Sequence, residues 1–178
     1  MPADLTIFAA KYLVFIAVMV AAAILAFRLW QLPRLSVLQW VIAAVVLLVL
    51  SYTLAVAGGE AYNDPRPFTT SHVAPLISHA PDNGFPSDHA LLAAALVALV
   101  AMVDIVWAIP LAVLAVLVDW ARVGAGLHHV ADVAGSSIFV AVAALVALLV
   151  PPVFMRLVTP RLPEHWKGQR LMPDRGPR

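Results

Sequence analysis

The chain has 178 residues, of which 63% are hydrophobic and 12% are charged, and its formal net charge is +1. Soluble domains carry about 25% charged residues, so this composition indicates an integral membrane protein with one domain. The nearly balanced charge gives no sign of a nucleic-acid partner. The absence of cysteine excludes disulfides, thiol catalysis and thiolate-bound zinc.

Five apolar segments predict five transmembrane helices, because a helix needs about 20 apolar residues to cross a bilayer. The predicted spans are residues 5–30, 37–57, 90–106, 107–123 and 130–150. Pro33 and Pro151 mark the ends of the first and last spans, and Asp104 is interpreted as a turn residue. The chain is therefore predicted to be all-α, a polytopic transmembrane helical bundle that forms a single membrane domain over residues 1–178.

The one long polar stretch is the loop over residues 58–89, between the second and third predicted spans. Loops of this length are usually functional or disordered. Within it, residues 69–79 are expected to form a short interfacial helix. Ser87 followed by Asp88 is typical of a helix N-cap and a first-turn acid. After the last span, residues 151–178 are predicted to form a basic C-terminal tail.

The distribution of arginine predicts the orientation of the bundle. With five spans, the loop over 58–89 and the turn over 124–129 fall on one side of the membrane. The turn between the first two spans, the turn at Asp104 and the basic tail fall on the other side. The positive-inside rule assigns this arginine-rich side to the cytoplasm. The N-terminus and both polar segments are therefore predicted to be extracytoplasmic.

Ionisable residues cluster before the last predicted span, where an intramembrane charge is by default a candidate functional residue. His128 and Asp132 are four residues apart, so on a helix they share one face, and the carboxylate can accept a hydrogen bond from the imidazole. Arg122 lies six residues before His128, across two glycines that permit a sharp turn. A guanidinium is suited to binding phosphate through two parallel hydrogen bonds. Asp119 is predicted to be the ion-pair partner of Arg122.

Taken singly, these polar residues have simpler explanations. Arg66, between two prolines, could be a loop or headgroup residue, and Ser87 could be an ordinary helix cap. His128 and Asp132 could form a structural pair or supply two metal ligands. Three further histidines are interpreted as loop or interface residues: His72, His79 and His129.

Their joint occurrence at one membrane face favours a phosphate site with catalytic machinery. The backbone N–H groups that follow Ser87 can bind an anion at the start of a helix. Arg66 and Arg122 can stabilise the charge of a transferring phosphoryl group. His128 can attack phosphorus as a nucleophile, and His89 can protonate the leaving oxygen.

Three short motifs resemble the type 2 phosphatidic acid phosphatase superfamily, and their form is similar to its undecaprenyl-diphosphatase, or bacitracin-resistance, branch. The motifs are Arg66-Pro67, Pro86-Ser87-Asp88-His89 and Ala121-Arg122-x5-His128-x3-Asp132. The resemblance covers residues 59–132. It implies an active-site core like that of acid phosphatases and vanadium haloperoxidases, with no metal and no cofactor.

The resemblance also implies an activity and a role for each motif residue. The activity is hydrolysis of undecaprenyl diphosphate to undecaprenyl phosphate, which recycles the lipid carrier of peptidoglycan synthesis at the outer face of the bacterial cytoplasmic membrane. The implied catalytic residues are His128 as the nucleophile that forms a phosphohistidine, His89 as the general acid and Asp132, which orients His128. The implied phosphate-binding residues are Arg66, Arg122 and Ser87, with Asp88 beside them.

Three positions depart from the pattern of that family. The lysine that begins its first motif is Gly59 here, and Lys11 is a candidate substitute. Asp88 stands where the family has glycine, and Ala121 stands where it has serine. A carboxylate beside a phosphate site repels an anionic substrate unless it is paired, so Asp88 is expected to pair with Arg66.

Other functions remain open at the level of sequence. The same chemistry could act on phosphatidylglycerophosphate, phosphatidic acid or a polyprenyl sugar phosphate, because an apolar tail is recognised by surfaces that carry little sequence code. A protein of another class, a transporter that binds a lipid phosphate without cleaving it, would need the cations but not the histidine–aspartate pair. A His/Asp metal site is the third alternative. The expected partner is a membrane lipid, and the oligomeric state is left open.

Overall fold

The computed structural model describes residues 2–71 and 74–158, with side chains to residue 156, and within these ranges it contains six helices and no β-strand. The helices are α1 (Ala3–Trp30), α2 (Arg34–Ala61), α3 (Pro67–Thr70), α4 (Asp88–Ala101), α5 (Ile105–Gly124) and α6 (Val130–Val158). The predicted all-α helical bundle is thereby confirmed. His72 and the tail beyond residue 158 lie outside the described residues.

Four of these helices, α1, α2, α5 and α6, are long and apolar enough to cross a membrane, as expected for a multi-pass membrane protein. The third predicted span is shorter than expected, because α4 is an apolar helix of only 14 residues, Asp88–Ala101. The predicted boundary between residues 106 and 107 is wrong. The carboxylate of Asp104 accepts hydrogen bonds from the backbone N–H groups of Val106 (2.9 Å) and Trp107 (3.4 Å). This N-cap starts α5 inside the apolar run.

The last span is longer than predicted, because α6 continues through Pro151 and Pro152 to Val158. The tail predicted for residues 151–178 therefore begins as helix. Apolar residues continue beyond the two prolines, and Met155 is buried. Membrane helices tolerate proline where neighbouring groups satisfy the freed backbone, so apolar continuity outweighs the helix-breaking signal here.

The core of the bundle is built from small side chains. The largest buried cluster joins α2, α4 and α6 through Ala43, Ala44, Leu47, Ala95, Leu99, Val140, Ala143 and Ala147. Many large apolar side chains point outward instead, including Met19 (71% exposed) and Leu149 (70% exposed). Small residues allow membrane helices to approach closely, while large residues face lipid.

Contacts at one end of the bundle fix which loops lie together. Arg28, in the last turn of α1, forms an ion pair of 2.7 Å with Asp104, at the start of α5. The turn between α1 and α2 therefore lies beside the turn between α4 and α5. The loop that joins α2 to α4 and the turn that joins α5 to α6 consequently meet at the opposite end, as the predicted topology requires.

The long loop is held by specific contacts and contains less helix than predicted. The helix expected over residues 69–79 is wrong, because α3 ends at Thr70 and the described residues 71 and 74–79 are not helical. Pro75 disfavours the helical conformation in the residue before it. The loop is fixed instead by a hydrogen bond from the Leu76 N–H to the Ala125 carbonyl (3.0 Å) and by an antiparallel bridge between Pro65 and Asn83.

Candidate active site

The three sequence motifs meet at the end of the bundle that carries the long loop. Their side chains come from the residue before α3, the cap of α4, the last turn of α5 and the start of α6. Five of the predicted site residues are buried: Arg66 (6% exposed), Ser87 (0%), Arg122 (5%), His128 (3%) and Asp132 (0%). Burial of this many polar groups at one place requires that they satisfy one another or a bound ligand.

The hydrogen bonds of His128 determine which ring nitrogen is free. Its Nδ1 lies 3.0 Å from the carbonyl oxygen of Gly84. A carbonyl can only accept, so Nδ1 carries the proton and donates it to Gly84. Nδ1 also lies 3.4 Å from Oδ2 of Asp132. The other nitrogen, Nε2, is therefore the unprotonated one and presents its lone pair to the interior of the site.

Two guanidinium groups face this free nitrogen. Nη1 of Arg66 lies 3.2 Å from Nε2 of His128, and Nη2 of Arg122 lies 3.5 Å from the same atom. Burial and then the charges of these two arginines lower the pKa of His128 to about 3. The imidazole therefore stays neutral near pH 7 and keeps a nucleophilic lone pair. An anion bound by both arginines would lie directly in front of that lone pair.

Arg66 is held by groups that the sequence did not identify. Its Nε donates a hydrogen bond to Oδ1 of Asp82 at 2.5 Å, and its Nη1 donates to the Leu127 carbonyl at 3.0 Å. The expected pairing of Arg66 with Asp88 is wrong: Asp88 is exposed and forms no ion pair with any described residue. The negative charge of Asp88 nevertheless interacts electrostatically with Arg122 and with His89.

Arg122 has no carboxylate partner among the described residues, so the predicted pair with Asp119 is wrong. Asp119 instead lines a cavity of about 290 Å³ between α4, α5 and α6. Its Oδ1 is buried there without a hydrogen-bond partner. One helical turn separates the two residues, but Arg122 turns toward His128 while Asp119 turns toward the neighbouring helices.

The carboxylate of Asp132 is held by the residue after the candidate nucleophile. Its Oδ2 accepts a hydrogen bond from the backbone N–H of His129 at 2.8 Å, and its Oδ1 is buried without a partner. The ring of His129 lies 3.3 Å from Oδ2 of Asp64. His129 is thus more than the loop residue predicted. Ligand atoms of Asp64, His129 and Asp132 lie within 4.8 Å of one another, so this trio could hold a metal ion.

Ser87 fixes the start of α4 against the start of α6. Its hydroxyl accepts a hydrogen bond from the Ala90 N–H at 3.5 Å, which confirms the predicted N-cap. The hydroxyl of Ser136 lies 2.9 Å from both the Ser87 and the Asp132 carbonyl oxygens. His89 follows in the first turn of α4, partly buried and within the electric field of Arg122. The first turn of α4 is thus brought to the site.

Asn83 ties the loop to the end of α2, although no role was predicted for it from the sequence. Its side-chain oxygen accepts hydrogen bonds from the N–H groups of Asp64 (2.9 Å) and Phe85 (3.0 Å). Its amide nitrogen donates to the carbonyls of Gly59 (2.9 Å) and Tyr62 (3.1 Å). An asparagine that follows Pro-Asp in a loop is a usual turn residue, which was the available signal.

Neither Gly59 nor Lys11 supplies the cation that the lysine of the family's first motif would provide. A side chain at Gly59 would place its Cβ only 3.1 Å from the Phe85 carbonyl oxygen, so this position packs tightly against the loop. Lys11 is exposed on α1, and none of the hydrogen bonds or ion pairs found in the described part of the chain joins it to the site. The suggestion that Lys11 replaces the missing lysine is therefore not supported. The sharp turn before His128 uses Gly126, whose φ of 74° lies in the left-handed region.

The fold and the site together define a class: an all-helical membrane protein that collects histidine, aspartate and arginine side chains at one end of its bundle. The chain belongs to the PAP2 superfamily, whose family model matches residues 39–156. It is 34% identical over 123 residues to undecaprenyl-diphosphatase BcrC of Bacillus subtilis (strain 168), an alignment that covers 66% of this chain and 61% of that protein.

A second relative is the putative undecaprenyl-diphosphatase YbjG of Escherichia coli (strain K12). It is 32% identical over 139 residues, which cover 74% of this chain and 65% of that protein. The chain thus spans less than two thirds of the length of both relatives. No solved structure matches the chain.

Proposed function

We propose that this protein is a membrane lipid phosphatase that hydrolyses undecaprenyl diphosphate to undecaprenyl phosphate and inorganic phosphate, and so recycles the lipid carrier of cell-wall synthesis. The observation that carries the proposal is the unprotonated Nε2 of His128, which faces both Arg66 and Arg122 at 3.2 and 3.5 Å. The names of the two relatives support the choice of substrate. The site is proposed to lie at the extracytoplasmic face of the bacterial cytoplasmic membrane.

The first chemical step is attack of Nε2 of His128 on the terminal phosphorus. An N–P bond forms and the P–O bond to the bridging oxygen breaks, while His89 donates a proton to that leaving oxygen. His89 must be protonated for this step, and the negative charge of the bound diphosphate favours its protonated form. The imidazole becomes positively charged in the process. Its Nδ1–H is directed at the Gly84 carbonyl, 3.0 Å away, and Oδ2 of Asp132 lies 3.4 Å away, so both groups stabilise this charge.

The second step releases phosphate. His89, now neutral, accepts a proton from a water molecule that attacks phosphorus, and the N–P bond breaks to restore His128. Arg66 and Arg122 hold the non-bridging oxygens through both steps, because charge accumulates on these atoms in the transition state. The N–H groups of the first turn of α4, which begins after Ser87, contribute further donors. Binding without cleavage would not need a free, oriented imidazole.

The substrate assignment is tested by phosphate release from purified protein in detergent. We expect kcat/KM to be highest for undecaprenyl diphosphate among a panel with phosphatidylglycerophosphate, phosphatidic acid and a polyprenyl sugar phosphate. A clear preference for phosphatidic acid would contradict the substrate assignment but not the proposed mechanism of phosphoryl transfer. Tight binding of the lipids with no phosphate release would indicate a transporter. Loss of activity with EDTA, restored by a divalent metal, would indicate that hydrolysis depends on a metal ion.

The catalytic roles are tested by comparing a lipid substrate with an activated aryl phosphate. His128→Ala should be inactive on both, because the covalent route is gone. His89→Ala should lose about 10²- to 10⁴-fold on the lipid but much less on the aryl phosphate, whose leaving group hardly needs a proton. Asp132→Asn should fall between, because the imidazole keeps its place but loses a charge partner. Near-normal turnover of the aryl phosphate by His128→Ala would show that the nucleophile lies elsewhere.

A further inference from the structure

The two arginines that face His128 are held in different ways. The side chain of Arg66 is 7% exposed and forms an ion pair with Asp82, whose side chain is 58% exposed at the surface of the loop. Arg122 has no such partner among the described residues, and its buried Nε makes no hydrogen bond. One guanidinium is therefore fixed by a carboxylate, and the other has no carboxylate within ion-pair distance among the described residues.

The contacts of Arg66 determine which of its edges is available to a ligand. An arginine can bind an anion through Nε and one terminal nitrogen, or through both terminal nitrogens. Here Nε is committed to Asp82 at 2.5 Å, and one N–H of Nη1 is committed to the Leu127 carbonyl at 3.0 Å. Nη1 also lies 3.2 Å from Nε2 of His128. Nη1 has two N–H groups, so its second one is directed at Nε2 and becomes available to a phosphate oxygen when a bound anion displaces that contact. The edge that a bound phosphate can then meet beside the nucleophile is the one formed by Nη1 and Nη2.

We propose that Asp82 is a positioning residue for phosphoryl transfer: by holding Nε of Arg66, it turns the Nη1–Nη2 edge toward the phosphorus that His128 attacks. This inference rests on the proposed function. It extends that function to an acidic residue outside the three motifs. Asp82 does not touch the phosphate itself, and acts only through the orientation of Arg66.

The charge of Asp82 makes the proposal distinguishable from a general loss of structure. The hydrogen bond from Arg66 lowers the pKa of Asp82, so the carboxylate is ionised at neutral pH. It therefore opposes anion binding electrostatically while it aligns the arginine. Removing the carboxylate should leave phosphate binding as strong as before or stronger, because one negative charge is lost from the neighbourhood of the site. The rate of the chemical step should nevertheless fall, because Arg66 is no longer aligned.

The test compares Asp82→Asn, Asp82→Glu and the wild-type protein, with p-nitrophenyl phosphate as substrate and inorganic phosphate as inhibitor. The matched control is Glu60→Gln, which removes an exposed carboxylate near the end of α2 that holds no arginine in the described structure. We expect kcat to fall by about 10- to 100-fold in Asp82→Asn, a range typical of small misplacements of a catalytic group. Its KM and its Ki for inorganic phosphate should stay level or decrease. Asp82→Glu should recover part of kcat, and Glu60→Gln should resemble the wild type.

A double substitution separates positioning from a direct role. In the background of Arg66→Ala, the further change Asp82→Asn should have no additional effect on kcat, because there is no guanidinium left to orient. An unchanged kcat in Asp82→Asn, a loss that persists at full size without Arg66, or an Asp82→Glu variant no better than Asp82→Asn would overturn the proposal.

The choice of substrate keeps this test separate from the identity of the lipid. A wild-type protein that hydrolyses p-nitrophenyl phosphate but prefers another lipid would contradict the substrate assignment and leave the result for Asp82 intact. If the wild type hydrolysed no phosphate ester, the proposed function would fail. Binding of inorganic phosphate, followed by tryptophan fluorescence, would then decide: binding weakened more than about 10-fold in Asp82→Asn contradicts a role that is confined to orientation.

Discussion

Replacing Gly135 with alanine should destabilise the protein, because the ring of Phe85 occupies the place of the missing side chain. A Cβ at this position would lie 2.3 Å from Cε2 and 2.7 Å from Cζ of Phe85. Carbon atoms in contact prefer about 3.5–4.0 Å, so the overlap exceeds 1 Å. The ring cannot easily retreat, since Tyr62 and Phe139 pack edge-on against it at centroid distances of 5.2 and 5.9 Å.

Overpacking of this kind costs about 1–3 kcal/mol. For a protein of this size each kcal/mol lowers Tm by about 2–4 °C, so Gly135→Ala should lower it by about 2–12 °C. The assay is thermal unfolding in detergent, followed by tryptophan fluorescence. Phe85 also adjoins Gly84, whose carbonyl accepts the hydrogen bond of His128. Turnover of an aryl phosphate should therefore fall in the same variant, even below its unfolding temperature.

Gly124→Ala is the matched control, because a Cβ there would meet only Cγ2 of Thr6, at an ordinary distance of 3.5 Å. Gly124 is the last residue of α5, so alanine fits its conformation. Such a change stabilises by about 0.4–1 kcal/mol through the unfolded chain. Gly124→Ala should thus unfold no earlier than the wild type. The steric reasoning fails if Gly135→Ala matches the wild-type Tm, or if both variants lose the same amount.

Three further predictions concern orientation, pH and a helix cap. Single cysteines at Thr70→Cys and Gln169→Cys, labelled in intact cells with an impermeant thiol reagent, should react only at position 70; labelling of position 169 alone would reverse the orientation. The pKa of His128 is 6.5 in the unfolded chain and about 3 in the folded protein. Between these two pH values the unfolded state binds more protons than the folded state, so the free energy of unfolding decreases as the pH falls below 6.5. Acidification from pH 7 to pH 5 should therefore cost the wild type about 2 kcal/mol more than His128→Gln, measured by chemical unfolding; equal losses would contradict the lowered pKa. Asp104→Ala removes both the cap of α5 and the ion pair with Arg28, whereas Arg28→Gln removes only the partly exposed ion pair of 2.7 Å. Asp104→Ala should therefore cost about 1–2 kcal/mol more than Arg28→Gln; equal losses in Tm would show that the cap contributes nothing.

The helices and the meeting of the three motifs could be predicted because their signals are local. The length of an apolar run determines whether a helix can cross a bilayer. The parity of such runs determines which loops share one end of the bundle, and the Arg28–Asp104 pair agrees with that parity. Ser87 predicted the start of α4, because its hydroxyl accepts a hydrogen bond from the backbone N–H of Ala90, three residues later. These inferences need only residues close together in sequence and a count of the apolar runs.

Helix ends were less predictable, because they depend on competition between signals of similar strength. The cap at Asp104 interrupts an apolar run that hydropathy alone treats as continuous. In α6 the outcome is opposite, since the helix passes through Pro151 and Pro152. A capping hydrogen bond contributes only about 1 kcal/mol, and a proline is tolerated where neighbouring groups satisfy the freed backbone. The surrounding packing therefore determines where each helix ends.

The sequence by itself determined that this is a helical membrane protein and that His128, Asp132, Arg66 and Arg122 belong together. Only the tertiary structure decided how they are held. Nδ1 of His128 donates its hydrogen bond to the backbone carbonyl of Gly84. Every residue has a backbone carbonyl, so the identity of this acceptor cannot be predicted from residue types. The partner of Arg66 is a loop carboxylate 16 residues away, while the nearer candidate for Arg122 turns to another face of its helix. Spacing along a chain limits which side chains can meet, but the packing of helices and loops selects which of them do.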